Sequence, residues 1–199
     1  MRKNLVCGGA TAMMLMLVAA CSSEHAIAPA PLAGSRVAAL APSLASASTV
    51  PKHLPGLLWK HEPTSRLSVS QVIGPNGGEL RIPEAGVTVI VPAGALAVPQ
   101  QITMSLHPGT VVAYDFAPHG LTFQVPLTLH QDLSFTNAKP ALASQLSLGY
   151  YANPLQVGTD GADINEDEGG WSNLARFTFS ANIWHFSGYM VACGRGEVP

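Results

Sequence analysis

The stretch from Val72 to Leu96, VIGPNGGELRIPEAGVTVIVPAGAL, constrains the fold more than any other part of this chain. Gly74-Pro75-Asn76-Gly77-Gly78 is a tight turn leading into a short strand, Glu79 to Ile82. A second turn, Pro83 to Gly86, precedes the β-branched run Val87 to Val91. Pro92 has no N–H to give a ladder, so the strand stops there, and Ala93-Gly94-Ala95 turns the chain again. Glycine in both turns supplies the positive φ that hairpin turns commonly need. An all-β module is predicted.

The rest of the chain repeats the pattern. Leu67, Val69 and Gln71 share one face, with Ser68 and Ser70 on the other. Ile102, Met104 and Leu106 alternate with Thr103, Ser105 and His107, and Val125, Leu127 and Leu129 with Pro126, Thr128 and His130. A period of two indicates half-buried antiparallel strands. Leu146 to Tyr151 and Arg176 to Ser180 continue it, with Phe177 and Phe179 inward. The run Ile183 to Ala192 is apolar on both faces, as a central strand would be. Short strands, Gly/Pro turns and no helix-period segment predict an antiparallel β-sandwich.

An ordered series of residues resembles the ZU-five (ZU5) domain, the β-sandwich of zonula-occludens scaffolds, netrin receptors and ankyrins. The series is Ile73-Gly74-x-x-Gly77-Gly78, Gly86-Val87, Val91-Pro92-x-Gly94-Ala95-Leu96, then Ile102-Thr103. Phe116 to Leu127 is similar to the family's "Pro-x-Gly … Phe-x-x-Pro-Val" segment, and His185-Phe186-Ser187 to its closing strand. The resemblance spans roughly Ser68 to Ala192 and implies a non-catalytic protein-binding or structural module.

Ahead of this region, Arg2 and Lys3 and the apolar Leu5 to Ala20 form a secretory leader, too short and too interrupted for a membrane span. It ends Val18-Ala19-Ala20-Cys21, which resembles the lipobox of bacterial lipoproteins. The resemblance implies acylation of the Cys21 thiol, and two or more acyl chains suffice for stable anchoring. Ser22 is similar to an outer-membrane sorting signal. From there to about Val50 the chain is Ala, Pro and Ser with almost no charge, which reads as a disordered linker. A coil of ~40 such residues reaches about 35 Å, and as polyproline II up to ~120 Å. Leu57-Leu58-Trp59 reads as an edge strand or a strap on the sandwich. The expected organisation is therefore a signal peptide, 1–20; an acylated cysteine and linker, 21–60; and a ZU5-like sandwich, 61–199. The expected localisation is the cell envelope, at the outer membrane or its periplasmic face.

Only 11% of the residues are charged and the net charge is −2, so no phosphate-binding surface accumulates and nucleic acid is not an expected partner. Cys7 would leave with the leader and Cys21 would be a thioether, which leaves Cys193 as a spectator thiol and allows no internal disulfide. The expected partners are the membrane, through the lipid on Cys21, and another protein, met through a sheet edge or loop surface. No cofactor and no metal is expected.

Four patterns have residue types that could carry chemistry. The glycines of Gly74 to Gly78 are not followed by Lys-Ser/Thr and a helix, so they do not form a nucleotide cradle. Asp160 to Gly170 carries Asp163, Asn165 and Asp167 at calcium-loop spacing, but Glu168 stands where the turn glycine is required; a solvated hairpin loop is the expectation. His107, His119 and His130 share no ligand spacing and read as surface residues. Tyr150, Tyr151, Trp171 and Trp184 have the residue types of an aromatic platform for a glycan or peptide, but aromatics at strand positions are more often core, and core is the expectation.

His185-Phe186-Ser187 is the sharpest candidate. Some ZU5 relatives, in death-domain adaptors and inflammasome sensors, cut themselves between Phe and Ser by an N-to-O acyl shift. The resemblance would make Ser187 the nucleophile and His185 its assistant. On a regular strand both side chains point the same way, yet a flat strand resists attack on its own carbonyl. The Phe186–Ser187 bond is expected to stay whole.

Overall fold

The computed structural model describes residues 52–63 and 66–194. The expected leader, Cys21 and the expected linker up to residue 51 lie outside the described residues. Thirteen strands follow in order: β1 (Lys52–Pro55), β2 (Ser68–Ile73), β3 (Gly78–Ile82), β4 (Val87–Val91), β5 (Gln100–Leu106), β6 (Ala113–Ala117), β7 (Thr122–Asp132), β8 (Leu146–Tyr151), β9 (Gly161–Ile164), β10 (Glu166–Asp167), β11 (Trp171–Asn173), β12 (Thr178–His185) and β13 (Gly188–Cys193). All pairings are antiparallel.

Two sheets face each other. One has six strands in the order β10-β8-β13-β6-β5-β2, the other five in the order β11-β12-β7-β4-β3. Their inner faces bury Leu80, Val89, Met104, Phe116, Leu129 and Ile183, the alternate residues of each strand. The hairpin β3–β4 is the one the opening stretch predicts. Its turn is a 3-10 turn, Pro83–Ala85, closed by Gly86 at φ 62, where a side chain would also strike the Phe135 ring.

A small sheet of β1 and β9 covers the outer face of the six-stranded sheet. Beneath it lies a second core of Leu54, Val111, Tyr151, Ile164, Met190 and Ala192. This cover explains why β13 is apolar on both faces: Tyr189 and Val191 enter the main core, Met190 and Ala192 the second. It also corrects two expectations. Part of the expected linker, from Lys52 on, is structured: β1 pairs with β9 and Gly56 bridges Ala192. The sequence of β1 gives no alternation because only Leu54 is buried in it. The acidic stretch is not a solvated hairpin loop either, since Gly161–Ile164 and Glu166–Asp167 are strands.

The run Ile183 to Ala192 is not one strand. β12 ends at His185 in the five-stranded sheet, and β13 starts at Gly188 in the six-stranded sheet. Phe186 and Ser187 carry the chain across the sandwich. Both halves of the run are buried, so hydrophobicity alone does not show the break.

Candidate functional site

The crossing places the candidate tripeptide at the end of β12 and in the irregular link after it, rather than within one regular strand. β12 ends at His185 and β13 begins only at Gly188, so the strand parity that would put His185 and Ser187 on one side does not carry through the link. Phe186 is buried, stacked on Phe116 at 5.1 Å and edge-on to Phe123 at 4.9 Å. Its N–H donates to the Leu121 carbonyl at 2.7 Å, and its carbonyl accepts from Gly120 at 3.0 Å. The Ser187 hydroxyl is buried and donates to the Tyr151 carbonyl at 3.3 Å.

His185 belongs to another group. Its ring stands edge-on to Tyr150 at 4.8 Å, with Nδ1 3.3 Å from the Tyr189 hydroxyl and Nε2 3.8 Å from Glu168. The Tyr189 hydroxyl donates to the His185 carbonyl at 2.6 Å. Burial pushes Glu168 above the ordinary carboxyl range, and the neighbouring Glu166 and Asp167 push the same way. Among the described non-glycine residues only Phe177 has positive φ, so the Phe186–Ser187 peptide carries no left-handed strain.

Two of the histidines expected at the surface are half-buried. His107 Nδ1 lies 3.2 Å from Asp115, whose other oxygen accepts from the Tyr151 hydroxyl at 2.9 Å. Burial raises the Asp115 pKa, but the bonds from His107 and Tyr151 and the positive charge of His107 outweigh it and hold the carboxyl below its usual range. His130 Nδ1 lies 2.7 Å from Ser180 Oγ, and burial lowers its pKa. His119 is exposed.

The four aromatics do not form one platform. Tyr151 is fully buried in the second core and Tyr150 half-buried in the six-stranded sheet. Trp171 and Trp184, 50% and 46% exposed, stand on the outer face of the five-stranded sheet. Phe177 is only half-buried, just before β12, while Phe179 is fully buried. Val125 is exposed, so β7 keeps the expected alternation only from Leu127 onward. Among the described residues no group of His, Cys, Asp or Glu is arranged to hold a metal ion. Asp160 and Asp163 instead flank His53, at 3.8 and 3.0 Å.

Two surface features escaped the sequence reading. A groove of about 720 Å³ opens beside Trp59, Leu67, Ala85 and Phe135, with Lys60, Glu62 and Glu84 on its rim. Its walls come from three distant segments, so no local motif announces it. The Leu57 to Trp59 strap forms one side: Leu57 and Trp59 are in the main core, and Leu57 N–H donates to Val191 at 2.7 Å.

The second feature is the free edge of β2. The Leu106 N–H donates to the Leu67 carbonyl, and these two residues stand opposite each other in the β2–β5 register. Directly opposite residues that exchange hydrogen bonds alternate with ones that do not. Hence Val69, Gln71 and Ile73 turn their backbone groups toward β5. Ser68, Ser70 and Val72 turn theirs away, to the side where, among the described residues, the sheet has no further strand. The hydroxyl contacts agree: Ser68 meets Ser105 at 2.9 Å and Ser70 meets Thr103 at 2.7 Å, across the closer, non-bonded pairs.

Fold and site together define an all-β antiparallel sandwich with an open edge. A model of the ZU5 domain family matches residues 69–110, about a fifth of the chain, covering nearly all of β2 and running through β5. ZU5 domains are in general protein-interaction modules. No curated protein matches the chain.

Proposed function

We propose that this chain is a non-catalytic binding module of the bacterial cell envelope. It is held to a membrane by lipid on Cys21, and its sandwich takes an extended protein segment along β2. The observation that carries the binding half is the unprotected state of that edge. Natural sheets blunt their edges with short strands, charge, proline or bulges. β10 has two residues, both acidic, and β11 has three. β3 carries Glu79 and Arg81. β2 has six residues, SVSQVI, without charge or proline, and Val72 in it is 65% exposed. Strand addition to such an edge gains affinity from main-chain hydrogen bonds. The ZU5 match over the same stretch supports the reading.

The anchor half rests on the leader and Val18-Ala19-Ala20-Cys21. It is tested by intact-mass analysis of protein from its native membranes beside a Cys21→Ala control. A chain beginning at an acylated Cys21, with Phe186–Ser187 whole, is the expected species. Freely soluble, unacylated protein would refute the anchor. A fragment ending at Phe186, absent from a Ser187→Ala control, would make self-cleavage the function instead.

A further inference from the structure

We infer that the strand added to β2 is β2 of a second copy of this chain, forming a two-fold dimer. The inference names the partner of the edge just described and rests on that reading. The outward-facing residues are Ser68, Ser70 and Val72, symmetric about Ser70. An antiparallel two-fold through Ser70 sets Ser70 opposite the partner's Ser70, and Ser68 opposite the partner's Val72. Every outward N–H then meets a carbonyl, and every side chain stays on its own face of the joined sheet. Val69 stands opposite the partner's Gln71 on the inner face. The six-stranded sheets continue into each other across the axis.

Charge decides whether such a pairing is tolerated. A two-fold sets the axial residue against its own copy, so a charged side chain there would face a like charge directly across the strands and oppose pairing. The axial residue is serine, and from Leu67 to Gly78 the chain has no charged residue. The edge of the facing sheet beside β2 is β3, which contacts it through the connecting turn. Its two charges, Glu79 and Arg81, are symmetric about Leu80 and form an ion pair at 3.3 Å within the chain. The β3 edge thus carries no net charge to oppose a copy of itself. Lipid anchoring of both copies in one membrane would add effective concentration to a ladder of modest length.

The experiment is sedimentation equilibrium of the full-length protein in mild detergent, over a wide concentration range, with hydrogen exchange on the same samples. A reversible dimer is expected, with the Ser68, Ser70 and Val72 amides protected as dimer forms. Ser70→Lys places two ammonium groups across the axis and should weaken the dimer at least tenfold; Val72→Lys should weaken it less. Gln101→Lys adds the same charge one strand inward, opposite Val72 in the β2–β5 register, and should leave the dimer intact. Melting temperatures check that all three variants fold. A monomer at every concentration, or a Ser70→Lys dimer as tight as wild type, overturns the inference. If the chain is monomeric yet a different protein protects these same amides, the dimer is wrong and the open-edge reading survives.

Discussion

The interior of the sandwich contains one polar bridge whose removal can be forecast in detail. Tyr114 comes from β6 in the six-stranded sheet and Gln131 from β7 in the five-stranded sheet, and both are fully buried. The Tyr114 hydroxyl donates to Gln131 Oε1 at 2.5 Å. The Gln131 amide nitrogen donates to the carbonyls of Ala85 at 2.9 Å and Asp132 at 2.7 Å. Burial pushes the Tyr114 pKa far up, so the phenol remains a donor at any ordinary pH. Tyr114→Phe keeps the ring and deletes one oxygen, leaving Gln131 Oε1 without its donor. An orphaned buried polar atom costs about 1–3 kcal/mol. At roughly 3–5 °C per kcal/mol for a folded part of this size, a fall in Tm of about 6–10 °C is expected for ~2 kcal/mol. Gln131→Leu should cost more, about 2–5 kcal/mol, since it strips partners from the Tyr114 hydroxyl and from both carbonyls. Urea unfolding with unchanged m-values measures both losses. In the Gln131→Leu background, Tyr114→Phe should cost less than it does alone, giving a coupling of roughly 0.5–3 kcal/mol. A Tyr114→Phe variant within ~0.5 kcal/mol of wild type, or one worse than Gln131→Leu, would refute the reasoning.

Two further outcomes concern the crossing. Gly188→Ala would drive a Cβ into the Tyr151 ring, which is held in place through its hydroxyl by Asp115 and the Tyr114 carbonyl. A loss of about 1–3 kcal/mol in thermal or urea unfolding is expected, and a neutral variant would show that the ring yields. Glu168 has its folded pKa raised above the ordinary 4.5 by burial first and by Glu166 and Asp167 next. Its contribution to stability is full below 4.5 and is lost as pH rises through the folded pKa. Glu168→Gln should therefore unfold at higher urea than wild type at pH 7, with the gap closing as pH falls below 4.5. A Gln variant less stable at pH 7 would mean that the Glu168 charge is needed by His185, 3.8 Å away.

How far the sequence reached depended on whether a feature was local. The β3–β4 hairpin was legible because turn glycines and prolines bracket two β-branched runs, and Val87–Val91 has the expected bounds. Burial of Ile102, Met104 and Leu106 was legible from alternation alone. The break at Phe186 and Ser187 was not, because β12 and β13 are both buried strands and their change of sheet leaves no mark on hydropathy. β1 was missed because a strand with one buried residue looks like linker. The His107–Asp115–Tyr151 group and the open edge of β2 depend on register, which pairs residues far apart in sequence. Trp171 and Trp184 had the residue type of a core and the position of a surface.

The link through Phe186 and Ser187 also has a bearing on the order of assembly. β13 lies between β8 and β6, and β12 between β11 and β7. Neither sheet is continuous until residues 178–193 arrive, although all eleven other described strands come earlier in the chain. A chain emerging N-terminus first from synthesis would hold β6, β7 and β8 with unfilled neighbours throughout the wait, exposing strand edges of the kind that invite misassembly. Closure then joins both sheets at once, through pairings distant in sequence, which are the slow ones to form.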